Sequence, residues 1–188
     1  HKQGKLNEQQ ARPFAPRRPP EELYDLHSDP YELINLAEEP KYQKELLAMR
    51  KILFQRMTET RDVGLIPEPI LEDLGREAGN KYQAFLDNDY SEQTRRLMDV
   101  ITAGEENEST KLLEYAKSSD SSTRYWATVW LGVNEVTQGK DMLLKLTADR
   151  VPAIRVAAAQ ALYRLGDQSK LKLLFDHIND PNLLVGMF

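Results

Sequence analysis

Apolar residues recur with helical spacing between Pro40 and Gly64, and charged residues occupy the positions between them. Successive members of the series are 4, 3, 4 and 4 positions apart, and they are Tyr42, Leu46, Met49, Leu53 and Met57. This spacing puts them on one face of an α-helix. Pro40 suits the first turn, where its missing amide hydrogen is not needed. The pattern predicts an amphipathic helix of about 20 residues that ends before Gly64.

The second half of the chain repeats itself at an interval of 31 residues. Apolar pairs, an arginine and an aspartate all recur at this interval: Leu112-Leu113, Leu143-Leu144 and Leu174-Phe175; Arg124 and Arg155; Asp149 and Asp180. Such an interval is typical of stacked units that cannot bury their apolar faces alone. The pattern predicts two helices in each unit. Pro152 suits the start of a second helix, and Gly166 suits its end.

Incomplete units are predicted at both ends of the repeats. Residues 81–104 favour a worn first unit whose second helix carries Leu97, Met98 and Ile101. The last unit starts at Asp180 and stops at Met187-Phe188, and a solenoid without a capping unit exposes apolar surface. Because the chain also begins with His1 and not with Met, we expect a truncated or processed fragment.

One β-strand is predicted ahead of the long helix. Leu23, Tyr24 and Leu26 form a β-favouring run within residues 22–26, and Ser28-Asp29-Pro30 stops it, since Asp and Pro favour turns. One short strand is not stable alone in water. We therefore expect its hydrogen-bond partners to come from another chain, by strand-mediated self-association, or from a local hairpin.

These elements divide the chain into four parts. Residues 1–20 are an extended, basic, proline-rich segment, 21–66 hold the strand and the long helix, 67–90 form a linker, and 91–188 hold the helical repeats. Glycine and proline interrupt regular structure, which is why the linker is placed where both are frequent. The predicted fold class is mainly α: a short strand and a long helix, then an α-solenoid.

Charge and composition exclude several classes of function. Residues 1–20 carry five basic side chains against Glu8, so the remaining residues sum to −9 within a net charge of −5. An acidic body argues against nucleic acid as a partner. No segment has the ~20 consecutive apolar residues of a membrane span. Without cysteine, the chain cannot form disulfides, use a thiolate nucleophile or hold zinc through sulfur.

The segment with the predicted strand resembles the tail of a sulfatase of the arylsulfatase and heparan N-sulfatase-like family. The resemblance rests on three motifs, which are Arg18-Pro-Pro-Glu-Glu-Leu-Tyr-Asp-Leu26, Asp29-Pro-Tyr-Glu32 and Asn35-Leu-Ala37. The segment Arg61-Asp-Val-Gly-Leu-Ile-Pro-Glu68 resembles the one that closes the family's domain. The resemblance covers about a third of the chain, roughly 1–66. It implies a strand and a long helix that complete a small antiparallel sheet near a catalytic domain. It further implies hydrolysis of sulfate esters or sulfamates, with sulfated polysaccharides as the expected substrates, and a periplasmic or secreted protein.

The resemblance does not extend to catalytic positions. Sulfatases use a formylglycine made from a Cys/Ser-x-Pro-x-Arg motif beside a calcium ion, in a large α/β domain that precedes the segment resembled here. In this chain the Ser-x-Pro at Ser28-Asp29-Pro30-Tyr31-Glu32 has Glu where the family requires Arg, so we interpret it as a turn. We therefore expect no catalytic residue, metal site or cofactor in this chain, with calcium and formylglycine confined to the catalytic domain.

A second resemblance covers the repeats. The stretch Val151-Pro-Ala-Ile-Arg-Val-Ala-Ala-Ala-Gln-Ala-Leu-Tyr-Arg-Leu-Gly-Asp167 is similar to HEAT-type repeats. Their usual period is about 40–47, so the similarity is to a shorter form of the two-helix unit. The small residues Ala157, Ala158 and Ala161 let neighbouring helices approach closely, and Trp126 and Trp130 occupy the positions equivalent to Ala157 and Ala161 one repeat earlier. This suggests layers in which large and small side chains interdigitate.

Metal-binding patterns are weak. Asp87-Asn88-Asp89-Tyr90-Ser91 imitates the start of a calcium loop, but the Gly and the bidentate Glu of such a loop are absent. We interpret it as an N-cap cluster before a helix that starts near Ser91. The three histidines, His1, His27 and His177, lack ligand spacing, and by its repeat position His177 is expected to be a packed or rim side chain.

Four residues form the candidate ligand or partner surface: Arg124, Tyr125, Trp126 and Trp130. Aromatic faces stack on sugar rings, and arginine pairs with sulfate through a forked geometry. The alternative is structural: Trp126 and Trp130 are four residues apart on one helical face and suit a core. In that alternative, Arg124 pairs with an aspartate of an adjacent turn along the solenoid.

Two hypotheses remain for the function. In the first, this is the non-catalytic C-terminal portion of a sulfatase, inactive alone, whose first partner is the catalytic domain of the same parent chain. In the second, it is a stand-alone helical-repeat module that binds proteins or sulfated glycans. An upstream Cys/Ser-x-Pro-x-Arg motif in the reading frame distinguishes them.

Overall fold

A computed structural model describes residues 4–15 and 19–187. The chain divides into two compact units, one up to Leu53 and one from Phe54 onward. The described elements are the α-helices α1 (Glu8–Ala11), α2 (Gln43–Glu59), α3 (Glu68–Ala78), α4 (Lys81–Asp87), α5 (Ser91–Glu105), α6 (Ser109–Tyr115), α7 (Ser121–Val133), α8 (Lys140–Leu146), α9 (Pro152–Arg164), α10 (Leu171–Asp176) and α11 (Leu183–Gly186), with short 3-10 helices at Arg12–Phe14, Pro40–Tyr42 and Thr137–Gly139.

The predicted β-strand over 22–26 is wrong, because the residues that the structure describes contain helices and loops only. The side chain of Asn35 takes the place of a pairing strand. Its Oδ1 accepts a hydrogen bond from the Leu23 amide at 2.9 Å, and its Nδ2 donates to the Glu21 carbonyl at 3.2 Å. The Leu36 amide donates to the Leu23 carbonyl at 2.8 Å. These local bonds satisfy the backbone that the prediction assigned to another chain or a hairpin.

The N-terminal segment is less extended than its prolines predict. Arg12–Phe14 form one 3-10 turn with Pro13 near its start, a position that does not need the missing amide hydrogen. Residues 16–18 of the same proline-rich segment lie outside the described residues. In the same unit, Arg50 of α2 makes a forked ion pair with Glu21, which ties the loop before Asn35 to the helix.

The predicted amphipathic helix is present as α2 and begins directly after the 3-10 turn at Pro40–Tyr42. Of its apolar series, Leu46 is buried, whereas Met49 and Leu53 are exposed. The helix therefore forms as the spacing predicts, but much of its apolar face lies uncovered.

Two helices, α3 and α4, occupy the region where glycine and proline predict a linker. Pro69 lies in the first turn of α3, where a proline is tolerated. Gly75 lies against the start of α4: a Cβ there would be 2.7 Å from Cγ of Lys81. Gly79 ends α3 at φ +96°. Because Ile66 and Ile70 are buried in the core of the repeats, this region belongs to the same hydrophobic core.

Helices pack in pairs within the repeats, α6 with α7 and α8 with α9. At the two ends of the repeats, α4 packs against α3 and α10 packs against α9. Leu112 and Leu143, which are equivalent in the repeat, are both fully buried. Neighbouring second helices approach closely through small residues. Trp130 of α7 lies against Gly104 of α5, and Ala161 of α9 lies against Gly132 of α7, so a glycine makes room for the neighbouring helix in both contacts.

Candidate functional site

A row of polar side chains connects successive repeats. It starts from equivalent positions on α5, α7 and α9, which are Gln93, Arg124 and Arg155. Gln93 donates to Oδ1 of Asp120 at 2.7 Å. Arg124 donates to both carboxylate oxygens of Asp149 at 3.0 and 3.1 Å. Arg155 donates to Nε2 of His177 at 3.2 Å, and Nδ1 of His177 lies 2.9 Å from Asp180. We refer to this row as the polar ladder.

The arginines of the ladder also bind backbone carbonyls at equivalent positions. Nη1 of Arg124 donates to the carbonyls of Ser118 and Ser119 at 2.9 Å each. One repeat later, Nη1 of Arg155 donates to the carbonyls of Asp149 and Arg150 at 2.8 and 3.3 Å. Arg124 thus holds the turn before its own helix and the turn before the next second helix, as the structural alternative for Arg124 predicts.

Tyr125, the second candidate residue, is buried in the core. Burial raises the pKa of its hydroxyl to about 12, because the charged phenolate loses hydration there. Its ring meets the Trp126 ring edge to face, with centroids 5.7 Å apart. A side chain in this position stabilises the fold and has little surface for a ligand.

Trp126 and Trp130 are half-buried and pack against the same core. Nε1 of Trp126 donates to the Leu65 carbonyl at 2.7 Å. Nε1 of Trp130 is buried and has no hydrogen-bond partner among the described residues. The structure therefore brings all four candidate residues onto α7, but in packed positions and without a shared open face.

Sequence reasoning missed a cleft beside α3. One wall consists of α3 side chains, namely Ile70, Asp73, Leu74 and Glu77. The other wall is formed at the starts of α7 and α9 by Ser121, Arg150, Val151 and Pro152. The volume of the cleft is about 430 Å³. The spacing of Ile70, Leu71 and Leu74 is helical, and Pro69 marks a helix start. These signals could have revealed α3 inside the predicted linker.

The first unit carries a cleft of mixed polarity and exposed apolar side chains. The cleft has a volume of about 360 Å³, and Arg12, Tyr24, Tyr31 and Glu32 are among its lining residues. Nη1 of Arg12 donates to the carbonyls of Glu32 and Leu33 at 3.3 Å each. Tyr31 is 82% exposed. The exposed apolar residues of α2 in this unit are Leu47, Met49, Ile52 and Leu53.

The Ser-x-Pro segment forms a turn, as predicted. Oδ2 of Asp25 accepts from the Ser28 hydroxyl at 2.8 Å, and Oδ2 of Asp29 accepts from the Ile34 amide at 2.8 Å. The hydrogen bond from Ser28 lowers the pKa of the Asp25 carboxyl. Both side chains thus serve the backbone geometry of the turn.

The calcium-like segment also has a local role. Helix α5 begins at Ser91, and the Ser91 amide donates to Oδ1 of Asp89 at 3.0 Å. The N-cap residue is Tyr90, whose side chain makes no capping hydrogen bond, so Asp89 bonds beside the cap and not at it. Within residues 4–15 and 19–187, acidic and histidine side chains form no group of three that could hold a metal ion. In the same ranges, no helix is long and apolar enough to cross a membrane.

Comparisons with known proteins agree with both resemblances. Residues 109–185 match the HEAT repeats family. A stretch of 66 residues is 47% identical to an ulvan-active sulfatase from Formosa agariphila. This stretch makes up 35% of the present chain and spans 11% of that sulfatase. No solved structure gives a significant match. The chain is therefore similar to a sulfatase over 66 residues and to HEAT repeats over residues 109–185.

Proposed function

We propose that this chain is a non-catalytic portion of a sulfatase that hydrolyses sulfate esters or sulfamates on a sulfated polysaccharide. The observation that carries the proposal is the 47% identity over 66 residues with a sulfatase named for its activity on ulvan. Because the matched stretch is 11% of that enzyme, most of a complete sulfatase lies outside it. The formylglycine and the calcium ion belong, in this proposal, to a catalytic domain of the same parent chain.

The surface of the first unit supports this proposal. Ile52 and Ile34 are 67% and 63% exposed, and Leu26, Tyr31 and Leu53 are also largely uncovered. Where exposed apolar side chains lie together on a soluble protein, they commonly mark an interface with another protein surface. A catalytic domain that covers these side chains would remove them from water, at about 25 cal/mol for each Å² buried.

The HEAT repeats support a role in contacts with protein. Helical repeats present extended surfaces that bind other chains, and the match over 109–185 favours this for the second unit. A sulfated glycan is the other partner that we consider for the repeats. The candidate residues give it less support, because Arg124 already pairs with Asp149.

The proposal is tested with two proteins and two substrates. The present chain and the product of its complete reading frame are assayed for sulfate release from 4-nitrophenyl sulfate and from ulvan. We expect the present chain to be inactive, and the complete product to be active and to contain an upstream Cys/Ser-x-Pro-x-Arg motif. Replacement of the Cys or Ser of that motif by alanine is the matched control and should abolish turnover.

Two outcomes would overturn the proposal. The first is a complete reading frame without the motif, which would favour a stand-alone HEAT-like module that binds proteins or glycans. The second is turnover by the present chain at an enzyme-like rate, which would place the chemistry in residues that we consider structural.

A further inference from the structure

We propose that the cleft of the first unit binds a neutral, unsulfated sugar unit of the polysaccharide. The inference rests on the proposed function for its polysaccharide, and it adds a binding site outside the catalytic domain. In this proposal, Tyr24 and Tyr31 contact the faces of the sugar ring, and Glu22 and Glu32 accept hydrogen bonds from its hydroxyls. All four side chains line the cleft.

The cleft has the size and the walls of a site for a small ligand. Its volume is about 360 Å³, and sites for small molecules usually measure about 300–1,000 Å³. Pro13 and Pro19 add apolar wall to that of the two tyrosines. The apolar face of a tyrosine ring packs against the C–H groups of a sugar, while its hydroxyl stays in water. Because Tyr31 is 82% exposed, its ring is open to a ligand.

Hydrogen bonds hold the walls of the cleft in place. Nη1 of Arg12 donates to the carbonyls of Glu32 and Leu33 at 3.3 Å each, which joins the wall at Arg12 to the loop that follows Tyr31. The Glu32 amide donates to the Asp29 carbonyl at 3.2 Å, so Tyr31 lies within a hydrogen-bonded turn. A wall that is already ordered loses less conformational entropy when a ligand binds.

The charges of the cleft favour a neutral sugar over a sulfated one. Glu22 and Glu32 are exposed, and within residues 4–15 and 19–187 the structure gives their carboxylates no hydrogen-bond or ion-pair partner. Arg12 is the basic side chain of the lining, and its Nη1 already binds two carbonyls. A carboxylate accepts hydrogen bonds from hydroxyls and repels a sulfate. The lining therefore favours a ligand that is rich in hydroxyls and free of negative charge.

The backbone at Glu32 is a second observation in favour of a ligand site. Its φ is +54°, in the left-handed region where residues with a side chain are uncommon. Glycine adopts this conformation without strain, so a glutamate here gives the backbone no advantage. Backbone strain of this kind clusters at ligand sites. The strained position puts the Glu32 side chain on the wall of the cleft.

The cleft borders the surface that we assign to the catalytic domain. Tyr31 belongs to both, because it lines the cleft and is one of the exposed side chains of that surface. A polysaccharide bound here by an unsulfated unit would keep its sulfated units close to the catalytic domain. Two linked contacts raise the effective concentration of the second one. We therefore expect the cleft to lower the KM for the polysaccharide and to leave small substrates unaffected.

Isothermal titration calorimetry of the full chain tests the site directly. The probes are native ulvan and ulvan that has been desulfated and carboxyl-reduced, which makes it neutral. We expect the neutral probe to bind at least about ten-fold more tightly than the native one, because the carboxylates repel sulfate. Tyr31→Ala should weaken binding of the neutral probe by about ten-fold or more, since it removes a ring face. Tyr82→Ala, at a tyrosine of the second unit that is 70% exposed, is the matched control and should leave binding unchanged.

Glu32→Gly separates a ligand role of Glu32 from a structural one. The substitution removes the carboxylate and relieves the positive φ, so the variant should melt no lower than the unsubstituted chain by circular dichroism. It should nevertheless bind the neutral probe more weakly. A lower melting temperature with unchanged binding would mean that Glu32 serves the fold and would overturn the inference. No binding of the neutral probe, tighter binding of native ulvan, or unchanged binding by Tyr31→Ala would overturn it as well.

Kinetics of the complete reading-frame product separate this inference from the proposed function. In that product, Tyr31→Ala should raise the KM for ulvan and leave kcat and KM for 4-nitrophenyl sulfate unchanged, because the small ester does not reach the cleft. Sulfate release with the same KM for ulvan in both proteins overturns this inference alone. Binding of the neutral probe by the present chain, without sulfate release by the complete product, overturns the proposed function and supports the sugar site.

Discussion

The guanidinium of Arg124 donates two parallel hydrogen bonds, of 3.0 and 3.1 Å, to the carboxylate of Asp149. The two side chains are only 9% and 10% exposed. Because Asp149 also accepts the Val151 amide at 2.9 Å, the pair joins α7 to the turn that starts α9. Of the ion pairs that the structure describes in the polar ladder, this pair is the most buried.

Replacement of Arg124 by methionine should strongly destabilise the fold. Asp149 would remain as a buried carboxylate without its cation, and breaking a buried pair in this way costs about 3–5 kcal/mol. Arg124→Lys should lower the free energy of unfolding by an intermediate amount, because a lysine ammonium cannot make the forked pair of hydrogen bonds. The free energy of unfolding, measured by urea denaturation, gives both values.

The matched control for Arg124 is an exposed ion pair. Lys172 and Asp176 are 84% and 56% exposed in their pair, so Lys172→Ala should change the free energy of unfolding by less than about 1 kcal/mol. If Arg124→Met were no more costly than Lys172→Ala, the ladder would have no structural role.

Substitution of Gly104 by alanine should destabilise the contact between α5 and α7. An added Cβ would lie 2.1 Å from Cδ2 of Trp130, so the indole or the helix must move, at a cost of about 1–3 kcal/mol. Arg96→Ala on the exposed face of the same helix is the control and should have little effect.

A double-mutant cycle tests the cause of that loss. If the clash with Trp130 is responsible, Gly104→Ala should cost less in a Trp130→Ala background than in the unsubstituted chain. Equal costs in the two backgrounds would contradict the packing explanation.

Features that repeat along the sequence could be predicted, whereas contacts made at a single place in the fold could not. The interval of 31 locates the helix pairs and gives Arg124 an aspartate partner, because repetition supplies several copies of one signal. Helix α3 was not predicted, because Pro69 and Gly75 indicate interruptions of a helix unless their positions within it are known. The four candidate residues share α7, but their burial depends on contacts such as that of Trp130 with Gly104 of α5, which the local pattern does not reveal.

The missing strand shows the same limit. Leu23 and Tyr24 have β-favouring side chains, but strand propensity depends on the neighbours that a strand finds. Here the nearest neighbour is the side chain of Asn35, twelve residues later, and composition does not predict a bond of this kind.

Tyr125 should make stability depend on pH in the alkaline range. Burial raises its pKa from 10.0 to about 12 in the folded chain, so the folded state holds the proton more tightly than the unfolded state. Its contribution to the free energy of unfolding is complete below pH 10 and is lost as pH rises towards 12. Urea denaturation from about pH 9 to 11.5 should show this decline.

The slope is assigned to Tyr125 by comparing two tyrosine variants. Tyr125→Phe should flatten the decline of stability with pH, because the titrating hydroxyl is gone. Tyr82→Phe, at a tyrosine that is 70% exposed, should leave the slope as in the unsubstituted chain. An unchanged slope in Tyr125→Phe would mean that other groups cause the alkaline loss.

Asn35 should determine the order of the loop that replaces the predicted strand. Its Oδ1 accepts from the amides of Leu23 and Ala37 at 2.9 and 3.0 Å. Asn35→Ala leaves both amides and the Glu21 carbonyl without this partner, and each lost hydrogen bond is worth about 0.5–1.5 kcal/mol. Hydrogen exchange of the Leu23 amide should therefore accelerate by up to about ten-fold.

The matched control is another asparagine that bonds to the backbone. Asn88 donates to the Ala84 carbonyl at 2.9 Å in the second unit, so Asn88→Ala should leave exchange at Leu23 unchanged. Asn35→Asp keeps the accepting oxygen and loses the donor to Glu21, and should protect the Leu23 amide better than alanine does. Because the three variants separate the acceptor from the donor, equal exchange at Leu23 in all of them would show that Asn35 does not replace a strand partner.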